Sequence, residues 1–265
     1  MENRKGPQRI VCLTEETTET LYLLGEQDRI VGISGYTVRP KEAREKPKIS
    51  AFTSAKIDQI VELKPDLVIG FSNLQAKIAA ELIAAGVNVL VTNQRSVEEI
   101  LETILTVARI VGAEDRGLAM VNELRAGLAQ TAEAAAKLPR RPRVFFEEWM
   151  DPLISGIRWV EELIEIAGGE TCFPQLRYEH SAKNRIVTSE AVVAANPEII
   201  IASWCGRKVQ PEKIIAREGW ANIDAVRNGH VFEIKSSNIL QPGPAALTDG
   251  VRQLQEIIGQ VAAGV

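Results

Sequence analysis

Leu63-Lys64-Pro65-Asp66-Leu67-Val68-Ile69-Gly70 is the stretch that decides the fold. Its proline ends a helix, Asp66 supplies a turn, and the residues that follow are apolar at odd and even positions alike. A strand apolar on both faces belongs to a parallel sheet covered by helices. Ala195-Asn196-Pro197-Glu198-Ile199-Ile200-Ile201-Ala202 repeats this pattern later in the chain. Outward from these two stretches, Arg9-Ile10-Val11-Cys12-Leu13 is matched by Arg143-Val144-Phe145-Phe146-Glu147, and Gly86-Val87-Asn88-Val89-Leu90-Val91 by Gly229-His230-Val231-Phe232-Glu233-Ile234. A helix ending at Gly25 corresponds to one over 159–167 ending at Gly168-Gly169. Residues 9 and 143, 65 and 197, and 86 and 229 stand 134, 132 and 143 positions apart, an ordered series with few insertions.

The run over 114–138 separates the two halves. It is rich in Ala, Leu and Glu, and only Gly117 and Gly127 interrupt its helical composition before Pro139 and Pro142 end it. A helix of about 25 residues spans roughly 37 Å, more than one small lobe is wide. The chain therefore reads as α/β: two Rossmann-like lobes of parallel sheet with helices, joined by one long rigid helix. The divisions are an N-terminal lobe over 1–112, a connecting helix over 113–139 and a C-terminal lobe over 140–265. Within the lobes, 73–85 reads as a helix, 35–50 as a surface excursion, and 244–261 as a terminal helix with Leu247, Val251, Leu254 and Ile258 on its packing face. Thr14 is read as a helix N-cap, with Glu15 and Glu16 favouring the helix dipole.

Composition narrows the function classes. Of 265 residues, 45% are hydrophobic and 25% charged, and the net charge is −4, as in a globular protein without the clustered cations of a nucleic-acid surface. With two histidines, a dedicated multi-His metal site is excluded. The three cysteines form no CxxC pair. Cys12 reads as a small hydrophobe in a strand, and a Cys172–Cys205 disulfide is neither required nor excluded. The first residues lack the apolar core of an export signal. The protein is expected in the cytoplasm if Met1 is its native start, and outside the cytoplasm if a signal once preceded it. No nucleophile–base motif occurs, so no catalytic residues are assigned. The one carboxylate constellation is Glu147, Glu148 and Asp151 with His180 in reach, as a chelatase-like enzyme would need. His180 reads otherwise as a solvated side chain, and His230 and Trp220 as structural.

In open α/β sheets ligands sit at the carboxyl ends of the strands, so two facing lobes imply a shared cleft. Tyr36, Phe52, Phe71, Trp149, Trp159 and Trp204 fall at or near expected strand ends. There they would offer stacking area to a flat ligand, with lobe packing as the plainer alternative. Gly206 permits close approach beside Cys205, Arg207 could hold a phosphate or carboxylate, and Pro242 opens the last helix, whose free N–H groups suit an anion or amide.

The marks Leu24-Gly25, Arg29-Ile30-Val31-Gly32-Ile33-Ser34, Lys64-Pro65-Asp66-Leu67-Val68, Glu148-Trp149-Met150-Asp151-Pro152-Leu153, Gly156-Ile157-Arg158-Trp159, Trp204-Cys205-Gly206, Gln241-Pro242-Gly243-Pro244 and Asp249-Gly250 run in order through nearly the whole chain. In this set the chain resembles the substrate-binding proteins of ABC importers whose lobes are joined by a rigid helix, a class that binds cobalamin, haem and siderophores. It is most similar to the cobalamin-binding branch. The resemblance implies a binding protein and not an enzyme, with no intrinsic cofactor and no protein-held metal. Its ligand would be a cobalamin-like corrinoid or another metal chelate bound in the inter-lobe cleft. A cytoplasmic chelate-binding protein of the same fold stands as the alternative. The expected partners are that small molecule and, for an exported protein, an ABC permease; nucleic acid is not one, and a monomer is expected. In the family each lobe presents a Glu to the permease. Glu190 matches that role, whereas Gln75-Ala76-Lys77 lacks the carboxylate and Glu81 lies one turn on.

Overall fold

The computed structural model describes residues 6–264. They form two compact units: one runs up to Gln94 and includes Glu98–Glu123, and the other comprises Arg95–Val97 and the chain from Leu124 onward.

The first unit holds β1 (Ile10–Cys12), α1 (Glu15–Leu23), β2 (Ile30–Ser34), β3 (Lys48–Ala51), β4 (Ser54–Ala55), α2 (Ile57–Glu62), β5 (Leu67–Phe71), α3 (Ala76–Ala84) and β6 (Val89–Thr92). It also holds most of α4 (Val97–Ile110) and the first half of α5 (Glu114–Ala135), so the division falls inside α5. The strand order is β4-β3-β2-β1-β5-β6, parallel except for the β3–β4 pair. Ile10 and Cys12 belong to a core with Leu21, Val107 and Val111, whereas Val11 and Leu13 belong to another with Ile60, Ile78 and Leu82. The period of two thus places α1 and α4 on one face and α2 and α3 on the other.

The second unit contains β7 (Arg143–Met150), β8 (Leu153–Ser155), α6 (Arg158–Ile166), β9 (Glu170–Thr171), α7 (Ser189–Ala195), β10 (Ile199–Ala202), α8 (Pro211–Ile215), α9 (Asp224–Arg227), β11 (Val231–Glu233), α10 (Ser236–Ile239) and α11 (Val251–Ala263). Its order is β11-β10-β7-β8, with β9 paired to β7. The matched sequence stretches take matched positions: β1 is flanked by β5 and then β6, as β7 is by β10 and then β11.

The repeat extends to side chains. Lys64 (φ 47°) and Asn196 (φ 43°) both adopt the left-handed conformation ahead of their prolines. Asp66 accepts the backbone N–H groups of Gln8 (2.7 Å) and Arg9 (2.9 Å), and Glu198 accepts that of Arg143 (3.0 Å). In return Arg9 donates to the carbonyls of Leu63 and Lys64, and Arg143 to that of Asn196. Each central strand is therefore pinned at its start to the helix-to-strand turn of its neighbour.

Four expectations need correction. The excursion over 35–50 ends in β3, because Ile49 is core. The helix over 73–85 opens as a 3-10 turn, Asn73–Gln75, where the Ser72 hydroxyl accepts the Leu74 N–H (3.3 Å). β7 continues past Glu147 to Met150 and returns through an antiparallel hairpin into β8. The terminal helix contains a π-helical turn, Ala246–Gly250, where Gly250 lies against the α10 backbone; a β-carbon there would stand 2.5 Å from the Asn238 carbonyl oxygen.

Two glycines of α5 give opposite expectations. Gly127 is exposed, and an added β-carbon would meet nothing within 4 Å, so Gly127→Ala should stabilise by about 0.5–1 kcal/mol. At Gly117 the β-carbon would stand 2.3 Å from that of Ala108 on α4, so Gly117→Ala should cost about 1–3 kcal/mol despite its better helix propensity. Urea midpoints check both; equal shifts of one sign would contradict the close α4–α5 contact.

Candidate functional site

Parallel strands bring the carboxyl ends of each sheet to one edge. In the first unit that edge carries Tyr36 after β2, Phe52 after β3, Phe71 at the end of β5, and the start of α1 after β1. Tyr36 is 50% exposed, Phe52 half-buried and Phe71 buried. The two phenyl centroids lie 6.4 Å apart. Gln75, fully buried, ties their loops together: its Oε1 accepts the Phe71 N–H (3.0 Å) and its Nε2 donates to the Phe52 carbonyl (2.9 Å). The position read as lacking a docking carboxylate is thus an internal clamp. On α3 beyond it, exposed Lys77 approaches Glu81 at 3.9 Å.

Thr14 stands at the N-cap position of α1 with Glu15 and Glu16 in the first turn, as read from the sequence, but the bonding there differs. Thr14 makes no side-chain cap; its hydroxyl donates to Glu16 Oε1 (2.5 Å). Thr14 and every residue from Glu16 to Thr20 are buried. Burial pushes the Glu16 carboxyl up to about 8, opposed by the Thr14 hydrogen bond and reinforced by Glu15 and Glu19. Burial likewise raises Glu15 to about 7. Glu19 is held by Arg39 at 3.0 Å. The unusual mark in the sequence was seven polar residues, Thr14 to Thr20, in direct succession to an apolar strand.

In the second unit, Trp149 near the end of β7 is half-buried, and its indole N–H donates to the Asp151 carbonyl (3.0 Å). The Arg207 guanidinium lies 5.2 Å from its ring centroid. Cys205, Gly206 and Arg207 are exposed, and Gly206 (φ 69°) makes the left-handed turn that presents them. The structure therefore brings Trp149, Cys205, Gly206 and Arg207 together at this edge.

Trp204, Trp159 and Pro242 are buried instead. Trp204, 2% exposed, donates its indole N–H to Glu147 (3.0 Å). Glu147 is fully buried and receives two bonds from Arg217 (2.5 and 2.9 Å), whose guanidinium covers the Trp220 ring at 4.5 Å. Trp159, also 2% exposed, lies on α6 rather than in a loop and donates to the Ile239 carbonyl (2.9 Å). Indoles spent this way pack inside their unit, because a buried N–H must find an acceptor. Pro242 is buried at the approach to the last helix.

Two of the three carboxylates of the constellation are likewise spoken for, and Asp151 is exposed. Glu148 pairs with Arg185 (2.7 and 3.0 Å), Glu147 with Arg217, and His180 is exposed. Two carboxylates neutralised by guanidinium groups make poor general bases. Among the described residues, no group of three or more His, Cys, Asp or Glu is arranged to hold a metal ion. All three cysteines are free, so Cys172 and Cys205 form no disulfide; burial pushes the Cys12 and Cys172 thiols up to about 12. Glu190 is exposed in the first turn of α7, which Thr188 caps by accepting the Ala191 N–H (3.2 Å). The backbone N–H of Glu190 and the Thr188 hydroxyl lower its carboxyl below the usual range.

The sequence profile of the family described as periplasmic binding protein matches residues 10–238. An uncharacterized ABC transporter substrate-binding lipoprotein of Bacillus subtilis is 28% identical, over 96% of this chain and 81% of that protein. The vitamin B12-binding protein of Vibrio parahaemolyticus is 27% identical, over 91% and 86%. Among solved structures, the periplasmic vitamin B12 binding protein BtuF of Vibrio cholerae superposes with a TM-score of 0.78 at 23% identity, covering 98% of this chain and 99% of that one. The periplasmic heme-binding protein RhuT of Roseiflexus gives 0.80 at 24%, covering 96% and 100%. These likenesses show the same two-lobed α/β fold, and the relatives are named for binding and transport, not catalysis.

The buried acids set a pH dependence. Glu161 on α6 is pushed up to about 8, chiefly by burial, against Thr171, Arg177 and Arg185 and with Glu165. Folded, Glu16 and Glu161 keep their protons to about pH 8; unfolded, only to about 4.5. The folded chain thus binds more protons across that window, so stability declines as pH rises through it and levels off above. Melting temperature should follow, with Glu161→Gln removing part of the slope; a variant profile parallel to the wild type would contradict this. Separately, Arg217→Ala should cost about 3 kcal/mol in urea unfolding, because it strands Glu147.

Proposed function

The chain belongs to the periplasmic binding protein family, and from that premise we propose that it is the substrate-binding component of an ABC importer. In this reading it takes a cobalamin-like corrinoid or another large metal chelate at the carboxyl edges of its sheets. The observation that carries the ligand class is half-buried Trp149 beneath the Arg207 guanidinium at the carboxyl edge of the second unit. Flat macrocycles bury large area on aromatic faces at little cost in side-chain entropy. Arg207 adds a fork-shaped donor for a peripheral phosphate or carboxylate. A chelate also carries its metal's donors with it, so the site needs to supply shape and stacking rather than coordination.

The names of the relatives support this ligand class, since vitamin B12 and heme are what those proteins are said to bind. The lipoprotein name of the Bacillus relative supports a place of action outside the cytoplasmic membrane. Glu190, exposed and held ionised at the start of α7, is offered as a carboxylate for permease docking. Gln75 is turned inward, so Glu81 on α3 is offered as the other docking carboxylate.

Titration with cobalamin, cobinamide and haem, followed by tryptophan fluorescence, tests the reading. Saturable quenching by at least one is expected, and Trp149→Ala should weaken that ligand about tenfold or more, equivalent to about 1.4 kcal/mol. Indifference to all three would sink the proposal.

A further inference from the structure

We propose that the acidic first turn of α1 forms a ligand subsite that selects chelates with an uncharged, amide-bearing periphery over chelates whose periphery ends in carboxylates. This rests on the binding function proposed above and names the ligand chemistry within it.

The position comes first. α1 begins where β1, a central strand of its sheet, reaches the carboxyl edge, and the Tyr36–Thr37 loop after β2 emerges from the same edge. Arg39 of that loop reaches Glu19 at 3.0 Å, so the loop lies against α1. Two buried polar atoms in this region have no partner: Glu16 Oε2, on a residue 3% exposed, and Thr37 Oγ1, on a residue 1% exposed. Glu16 Oε1 is engaged by Thr14, which fixes the carboxyl over the first turn while its second oxygen is left unanswered. Buried polar atoms are almost always satisfied, and two orphans at a ligand-binding edge point to a partner that arrives from outside. Glu15, half-buried on the same turn, carries the acidic surface outward.

Charge decides what that partner is. The first turn contributes Glu15 and Glu16, and Glu19 follows on the next. The elements packed against it supply Arg39, already paired with Glu19, and Cys12 on β1, whose buried thiol stays neutral and lies near Lys46. A carboxylate approaching this turn meets like charge, or must force protons onto it. An amide suffers neither penalty: its carbonyl accepts from a protonated carboxyl or from the Thr37 hydroxyl, and its N–H groups donate to an ionised one. The high proton affinity of Glu16 and Glu15, about 8 and 7, keeps the turn largely neutral in mildly acidic solution and negative in mildly alkaline solution. Discrimination against carboxylates should therefore sharpen as pH rises.

Cobinamide and cobyrinic acid share one corrin ring and differ in amide against carboxylate side chains, so their affinity ratio isolates the periphery. Tryptophan fluorescence titrations of the full chain at about pH 6 and about pH 8.5 measure it. The expected result is a cobinamide preference of about tenfold or more at the higher pH, narrowing by about threefold at the lower. Glu15→Gln and Glu16→Gln should each narrow that affinity ratio by about threefold at the higher pH. A ratio indifferent to pH and to both variants, in a protein that still binds cobinamide, overturns the subsite and leaves the binding function standing. Failure of the wild type to bind cobalamin, cobinamide or haem overturns both.

Discussion

In each unit a carboxylate placed just after a proline holds a backbone N–H at the start of the central strand, Arg9 or Arg143, while that arginine's side chain reaches back to carbonyls before the proline. These paired bonds fix how far each strand slides along its neighbour. Ile10 therefore stands beside Leu67, and Val144 beside Ile199. A slip of one residue would turn Val11 and Val144 to the wrong cores and shift every strand-end loop by about 3.3 Å. The left-handed residues Lys64 and Asn196 make the geometry attainable by turning the chain sharply before each proline. Where each unit's strand-end residues stand, Tyr36 and Phe52 in the first and Trp149 in the second, follows from this register.

Once register is set, buried charge falls into two kinds. Glu147 with Arg217 and Trp204, and Glu148 with Arg185, are closed networks in which the carboxylate oxygens are answered from within the unit. Such networks hold a surface rigidly, because removing one member strands the rest. Glu16 is of the other kind, with one oxygen answered and one open. The contrast separates charge that shapes the edge from charge that can still respond to a ligand.

The architecture was legible in the sequence because strand identity depends on local patterning. Runs apolar at both parities, a proline at each helix-to-strand turn and glycines at helix ends are written over fewer than ten residues apiece, and their repetition gave the order β1, β5, β6 and β7, β10, β11. Trp220 was correctly read as core. The site was only partly legible, since burial of an aromatic depends on what folds over it. Trp149 and Trp204 both follow strand β-branched or aromatic runs, yet the indole of one bonds to an exposed hairpin turn and that of the other to a buried carboxylate. No spacing rule separates them. The burial of the polar run in α1 was not legible for a related reason: polar helical residues are normally solvent-facing, and only long-range packing buries Thr17, Thr18 and Thr20. β3 and β8 were missed because each is short and stabilised by a partner strand rather than by its own pattern.

The π-helical turn has a consequence for how this sequence can drift. Gly250 packs against the Asn238 carbonyl, and the next carbonyl along α10, that of Ile239, is where Trp159 of α6 anchors its indole. The π-helical turn and distant α6 thus both rest on one short stretch of α10 backbone. Enlarging residue 250 would press on the same stretch that anchors a tryptophan some ninety positions upstream, coupling two residues that do not touch.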